Sequence, residues 1–560
     1  MSVVERLKQN IITRLAQAAA AAKEANELKY DELPDFVLEV PREKQFGDYA
    51  TNLAMVMARV AKLPPRKIAE ILLKFFDPQD TWVSRTEIAG PGFINFYLDH
   101  RWLYEVLPEV VAEDQRYGYS NLGAGKKVQV EFVSANPTGL LHMGNARGAA
   151  LGDSLASILA AAGYEVTREF YINDAGNQIE NFGKSLEARY LEILGHAVVF
   201  PEDGYHGQDV IETVQRFVQE FGNKYENVDP VLRREMLVQY ALQEKLANIK
   251  QVLADFGVHY DVWFSEQSLH DSGAIQRTLN ELREKGYIYE SEGALWFKST
   301  LFGDEKDEVV VRRNGVPTYF AADIAYHKNK FERGFDWVIN IWGADHHGHV
   351  ARMKGAMAAL GYDPNRLDVI IMQLVRLFRS GEIVRMSKRT GQYITLSDLI
   401  EEVGRDAARY FFVMRSADSH LDFDLDLAKS ESADNPVYYV QYAHARICSI
   451  LRQAAEAGFT VPPASQTRLD VLTDPAELEL IRHIANLPAE VINSAAVLEP
   501  HRLARYAHDL ADVFHSFYNS CRVLTDDEAV RGARLILVDA TRITLRNVLT
   551  LLGISAPERM

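Results

Sequence analysis

Apolar positions at helical spacing open the chain: Val4, Leu7, Ile11, Leu15 and Ala18 share one face of a predicted helix. Phe36–Val40 is strand-like. The run Gly47-Asp-Tyr-Ala-Thr-Asn52 leads into a helix carrying Leu53, Val56, Met57 and Val60, which Pro64-Pro65 ends. Gly90-Pro-Gly92 reads as a turn, and Phe93–Tyr97 as the strand after it. A further helical stretch and a glycine-bearing segment, Gly118–Lys127, close this part, so 1–118 is expected to form an N-terminal α+β module.

From Lys127 the pattern changes to strand, helix, strand. Val128, Val130, Phe132 and Val133 make a short apolar strand, residues 144–162 a helix closed by Gly163, and Glu165–Ile172 a second strand. Such a βαβ unit predicts an α/β domain built on a Rossmann-type, doubly wound parallel sheet. Residues 185–300 carry long charged helices and the strand-like Gly293–Phe297, and are expected to be an insertion. The sheet pattern resumes with Trp337–Trp342, a helix over His349–Leu360 and Val369–Gln373, giving a second domain over 119–425. Beyond Asp434 the chain reads as almost wholly helical. Leu503, Tyr506, Leu510, Val513, Phe517 and Cys521 follow one helix face, and 426–560 is expected to be an all-helical domain.

A chain of 560 residues exceeds what one core holds, so about two to four domains are expected. With 47% apolar and 25% charged residues it has the balance of a globular protein, not a disordered one. No run approaches the ~20 apolar residues that span a bilayer, and the alanine run Ala18–Ala22 sits in a charged amphipathic stretch without signal-peptide organisation. The two cysteines, Cys448 and Cys521, are too few and too far apart for a disulfide framework or a zinc site. A cytoplasmic protein with no membrane partner is the expectation. A net charge of −17 argues against a generic coat for DNA or RNA, but leaves room for local patches. From residue 430 onward there is no lysine, and arginine carries the positive charge. A base-biased genome and an arginine-rich RNA surface both account for that.

Three patterns mislead. Gly183-Lys184-Ser185 resembles the end of a phosphate loop, but Gln178 stands where its first glycine belongs. Asp422, Asp424 and Asp426 open like a calcium loop, but Leu427 and Ala433 occupy its glycine and glutamate positions. His346, His347 and His349 have no second ligand cluster at metal spacing, so substrate contact is favoured and no resident metal site is expected.

Two short segments carry chemistry. Glu131-Phe-Val-Ser-Ala-Asn-Pro-Thr-Gly-Leu-Leu-His-Met-Gly-Asn-Ala-Arg147 joins the first sheet strand to the first helix. Ligands of such sheets bind beyond the strand C-termini, where a helix start offers unpaired N–H groups to phosphate. Gly144 lets a nucleotide approach the backbone, and His142 can donate to a phosphate oxygen. Far downstream, Arg385-Met-Ser-Lys-Arg-Thr-Gly391 supplies Lys388, a mobile point charge suited to a leaving phosphate. In this order and on this fold, the two segments resemble the HIGH and KMSK motifs of class I aminoacyl-tRNA synthetases.

The flanks narrow the likeness. Glu131–Asn136 through His142, Tyr319-Phe-Ala-Ala-Asp323, Gly343-Ala-Asp-His-His347, Phe46-Gly-Asp-Tyr49, Asp434–Arg446 and the terminal Pro557-Glu-Arg-Met560 resemble the arginyl-tRNA synthetase family over nearly the whole chain. The resemblance implies ligation of L-arginine to tRNA(Arg) through an arginyl-adenylate, with ATP and Mg²⁺. It implies that Glu131, Asn136, Tyr319, Asp323 and His346 bind arginine, and that His142, Gly144, Asn145, Gly343, Asp345, Met386, Ser387 and Lys388 bind ATP, with His142, Asn145 and Lys388 serving catalysis. A guanidinium is planar, permanently charged and rich in donors, and carboxylates such as Glu131 and Asp323 suit it. The family likeness assigns 426–560 to anticodon reading, through Tyr438, Tyr442 and Arg446, and 1–118 to the tRNA elbow, through Phe46, Tyr49 and Asn52. The alternative for the tyrosine run, which also holds Tyr439, is a packed core. A monomer is the family-like default.

Two positions depart from the motifs. Asn145 stands where the last HIGH histidine is usual, and Arg385 where the first KMSK lysine is. Two other readings remain open here. A sister synthetase for cysteine would want a zinc site for which this chain has no cysteine pair. A non-catalytic RNA-binding relative would show damaged motifs, whereas His142, Gly144 and Lys388 are present.

Overall fold

The computed structural model describes residues 2–384 and 394–560. The N-terminal helix, Val3–Glu24, begins at Ser2, whose hydroxyl accepts the Glu5 N–H while the Glu5 carboxylate accepts the Ser2 N–H. This helix packs on the helix Pro65–Phe75. Beside them lies an antiparallel sheet in the order Leu38–Glu39, Tyr49–Thr51, Phe93–Leu98, Val83–Ala89. The strand expected over Phe36–Val40 is only two residues long. Val83–Ala89 was silent in the sequence because its Ser, Arg, Thr and Glu carry no apolar alternation.

The central sheet has five strands, all parallel, in the order Leu367–Met372, Trp337–Gly343, Lys127–Glu131, Glu165–Ile172, Val262–Ser265. Chain order reverses at Lys127–Glu131. The crevice between that strand and Trp337–Gly343 is therefore the switch point, where ligands of doubly wound sheets sit.

The stretch 185–300 is more than an insertion, because Val262–Ser265 pairs with Glu169–Ile172 as the edge strand of the sheet. Four residues beside long charged helices gave too short a signal to separate. The inserted part proper includes the helices Asn177–Ile193, Gln208–Phe221 and Pro230–Asp255, with their own core around Phe182, Tyr190 and Phe217. A small antiparallel sheet of Ile288–Ser291, Ala294–Phe297 and Glu308–Val311 follows and runs past residue 300.

The helix Met143–Ala161 is buried on nearly every side. Gly152 permits that: a Cβ there would lie 2.1 Å from the ring of Phe132. The C-terminal part consists of the helices Pro436–Glu456, Pro475–Ala485, Leu487–Val497, His501–Ser520 and Glu528–Leu551, with two short 3-10 turns. Arg409, fully buried, joins the parts. Its guanidinium donates to Asp153 Oδ2 (2.6 Å) on the central helix, to the Phe256 carbonyl (3.1 Å) after the inserted helices and to the Leu552 carbonyl (3.0 Å) after the last helix. A buried charge with that many acceptors is compensated, and removing it would leave Asp153 held only through Oδ1, by Arg168 Nε (3.1 Å).

Candidate active site

The crevice is shaped by a sharp turn after Lys127–Glu131. Val133 (φ 70°) and Ser134 (φ 41°) both occupy the left-handed region. For a β-branched valine this costs about 1–3 kcal/mol, and such backbone strain is concentrated at functional sites. The turn aims Ser134 Oγ at Glu131 Oε1 (2.8 Å), and the same hydroxyl accepts the Tyr171 N–H (3.2 Å).

His142 caps the helix Met143–Ala161. Its Nδ1 accepts the Gly144 N–H (3.1 Å), and Asn145 Oδ1 accepts the His142 N–H (3.0 Å). Because Nδ1 is an acceptor, the neutral ring carries its proton on Nε2, a donor at a helix N-terminus. Asn145 keeps its amide donors, since only its carbonyl oxygen serves the cap. Leu396 N–H donates to the Leu141 carbonyl (2.9 Å), and Thr395 forms a bridge with His142. The chain that follows the second motif is thus docked on the first. Arg385, Met386, Ser387 and Lys388 themselves lie outside the described residues.

Next to the turn is an acidic pocket. Glu131 is 5% exposed, and its Oε2 lies 2.5 Å from Lys330 Nζ. Asp323, on the helix Tyr319–Glu332, is gripped by two histidines: His349 Nε2 is 2.6 Å from Oδ2, and His327 Nδ1 is 3.4 Å from Oδ1. Burial pushes the Asp323 carboxyl up, but the two imidazoles outweigh it and hold it well below the usual carboxylate range. Glu266, just after the edge strand, is 6% exposed. Burial pushes its carboxyl up to about 7; the Tyr171 hydroxyl opposes that shift, and Asp174 and Asp323 add to it. Tyr319 is half exposed as a residue, yet its hydroxyl feels burial together with Asp323, Glu131 and Glu266, which raise the phenol. The pocket therefore sets three carboxylates, those of Glu131, Glu266 and Asp323, beside the ammonium of Lys330 and the imidazoles of His327 and His349. Asn136, also sequence-predicted, bonds to Gln178 on the helix Asn177–Ile193.

Gly343 ends its strand, and a Cβ there would stand 2.5 Å from Asp345 Oδ1. The Asp345 carboxylate is exposed and lies 3.6 Å from His346 Nε2, so both sit at the mouth and not in the acidic floor. His349, one turn on, is the histidine that reaches Asp323. Glu266 and Lys330 stand in no motif that the sequence flags, whereas His349 belongs to the histidine cluster for which the sequence favours substrate contact. The spacing of His349 after His346 and the position of Glu266 at a strand end were the available signals.

The sites expected to touch RNA are less uniform. Phe46 is exposed, whereas Tyr49 is buried, and Asn52 spends its Oδ1 on the Val37 N–H (3.0 Å). On Pro436–Glu456, the rings of Tyr438 and Tyr442 lie nearly parallel with centroids 6.1 Å apart. Arg446 donates to the Tyr442 hydroxyl (2.9 Å) and lies over the rings of Tyr442 and Tyr518. Tyr439 instead packs against His508 and His515 and donates to Asp512.

A five-stranded parallel sheet with a histidine-capped helix at its switch point, followed by a helical C-terminal domain, defines a class I aminoacyl-tRNA synthetase. Family models agree segment by segment: arginyl tRNA synthetase N terminal domain over 5–98, tRNA synthetases class I (R) catalytic domain over 106–418, and DALR anticodon binding domain over 440–560. The chain belongs to the arginyl-tRNA synthetase family. It is 68% identical to the arginine--tRNA ligase of Moorella thermoacetica over 560 residues, covering 100% of both chains. Among solved structures, a putative arginyl-tRNA synthetase from Campylobacter jejuni matches with a TM-score of 0.75 at 36% identity, covering 83% of this chain and 100% of that one. The Thermus thermophilus arginyl-tRNA synthetase shares the fold, with a TM-score of 0.73 at 24% identity, 98% of this chain and 100% of that one being covered.

Proposed function

We propose that this chain is an arginine--tRNA ligase that joins L-arginine to tRNA(Arg) in cytoplasmic translation, consuming ATP and releasing AMP and pyrophosphate. The observation that carries the reading is the buried acidic pocket of Asp323, Glu266 and Glu131 beside a helix N-terminus built for phosphate. In the first step the arginine carboxylate attacks the α-phosphorus of ATP and pyrophosphate leaves. Positioning and charge neutralisation supply the rate, and no protein nucleophile takes part. In the second step the terminal ribose hydroxyl of the tRNA attacks the adenylate and AMP departs. As in the family, the first step is expected to need bound tRNA.

In this reading Asp323 and Glu266 take the guanidinium, Tyr319 orients it, and Glu131 with Asn136 faces the α-amino end. His142 donates through Nε2 to a phosphate oxygen, and Asn145 through its amide. Gly144 gives the nucleotide room, and Gly343, Asp345 and His346 border the mouth. Met386, Ser387 and Lys388 complete the ATP site, with Lys388 following the pyrophosphate. Histidine, amide and backbone N–H groups suit phosphate better than a bare cation, so Mg²⁺ would arrive on ATP and neutralise its phosphates. We divide the chain into a tRNA-contacting module (1–118), a catalytic domain (119–425) and an anticodon-binding domain (426–560). In the first, Phe46 offers an exposed ring. In the last, the exposed Tyr442 and the half-buried Tyr438 and Arg446 form a stacking face.

ATP–pyrophosphate exchange with tRNA present, run against a panel of amino acids, tests this. Exchange with arginine is expected; exchange with another amino acid and not arginine would end the reading.

A further inference from the structure

From the acidic pocket a chain of polar contacts runs through Lys330, Asn340 and His327, which the reaction does not touch directly. Lys330 is buried with no exposed side-chain surface. Its Nζ lies 2.5 Å from Glu131 Oε2 and 2.7 Å from Asn340 Oδ1. Asn340 Nδ2 lies 2.7 Å from His327 Nε2, and His327 Nδ1 lies 2.8 Å from the Asp323 carbonyl and 3.4 Å from its Oδ1. The chain therefore links Glu131 to Asp323.

Its polarity can be read from one end. An ammonium has donors only, so the Asn340 atom that meets Lys330 must be the carbonyl oxygen. The amide N–H₂ of Asn340 then faces His327, and Nε2 of that ring must accept. An imidazole that accepts at Nε2 carries its proton on Nδ1, so the ring is neutral and donates toward Asp323. Without Lys330, the Asn340 amide can turn over, His327 can move its proton to Nε2, and Nδ1 would then set a lone pair against the Asp323 oxygens. A buried lone-pair clash of that kind loses the donor and also leaves an acceptor unpaired.

We propose that Lys330 is a specificity-determining positioning residue, which fixes Asp323 for the guanidinium by setting the hydrogen-bond direction through Asn340 and His327. The same ammonium occupies Glu131 Oε2 and leaves Asp323 and Glu266 as the acids that select the side chain. The inference rests on the arginine-ligase reading above.

The test uses the full-length enzyme with tRNA and the variants Lys330→Met, His327→Asn and His327→Gln. Arginine and ATP KM are measured by pyrophosphate exchange, and the His327 tautomer by long-range ¹H–¹⁵N spectra of imidazole-labelled protein, assigned by its loss in the His327 variants. The wild type should show His327 neutral with its proton on Nδ1. K330M should lose that signature and raise the arginine KM roughly tenfold or more, with the ATP KM unchanged within about twofold. H327N, whose amide places a donor near the Nδ1 position, should keep most of the arginine affinity, and H327Q should not. If K330M fails to fold, the contrast between the two His327 variants decides. Arginine KM unchanged in K330M, equal impairment in H327N and H327Q, or an Nε2–H tautomer in the wild type would each overturn the proposal while leaving the function standing. A wild type with no arginine-dependent exchange would instead sink the underlying reading, and this inference with it.

Discussion

The arginine pocket and the tyrosine–arginine face of the C-terminal domain handle charge in opposite ways. In the pocket, acids are buried and pre-oriented by internal partners: Asp323 by His349 and His327, Glu131 by Lys330 and Ser134. Tyr442 on Pro436–Glu456 and Tyr518 on His501–Ser520 are exposed, and Arg446 lies over both rings. Burial strengthens a charge–charge contact and protects it from salt, whereas exposed cations and rings work in water and are screened. The first arrangement discriminates one small cation from its analogues. The second suits a large polyanion whose bases stack and whose phosphates are held loosely.

Five predictions bear on that contrast. The largest effect belongs to Asp323→Asn, which removes a charged partner of the guanidinium and unbalances two histidines. We expect arginine kcat/KM to fall on the order of a hundredfold in steady-state exchange, with ATP KM little changed. An equal loss for both substrates would mean the pocket is general scaffolding.

Glu266→Gln should raise the arginine KM about tenfold and remove a pH dependence. The sign follows from the raised carboxyl near 7: a cation prefers the ionised form, so arginine KM in the wild type should fall as pH rises from about 6 to 8. A flat profile in the wild type would remove Glu266 from the site.

Tyr442→Ala and Arg446→Ala should each raise the tRNA KM by about tenfold or less and leave arginine binding intact. Raising salt should weaken tRNA binding steeply and arginine binding little. Parallel salt slopes would erase the distinction between the regions. The smallest effect is expected for Asn145→Ala, which removes the cap on the His142 N–H: a roughly threefold rise in ATP KM.

Much of the crevice was legible in the sequence. Apolar Val128 and Val130 marked the first sheet strand, and His142-x-Gly144 the helix start. Tyr319 and Asp323 came through family likeness, not through spacing. The cluster His346, His347 and His349 reads as substrate-side in the sequence; in the structure His349 contacts the buried Asp323, whereas His346 lies beside the exposed Asp345. Lys330 was invisible for a physical reason. It stands in the polar run His327-Lys-Asn-Lys330, which reads as a solvated helix face, whereas this helix is buried nearly all round and its ammonium is neutralised by Glu131, distant in sequence. Glu266 was hidden with its strand, since four residues between charged helices carry no period. Tyr49 shows the opposite failure. A motif residue expected at the RNA surface is a core side chain of the N-terminal sheet.

The central claim is that buried, ionised acids select a guanidinium at the switch point of the sheet. Citrulline has nearly the shape of arginine and no charge, so the ratio of arginine to citrulline kcat/KM in tRNA-dependent pyrophosphate exchange tests it most directly. The account predicts a ratio on the order of a hundred or more for the wild type, collapsing in Asp323→Asn. Comparable activation of both amino acids by the wild type would contradict it.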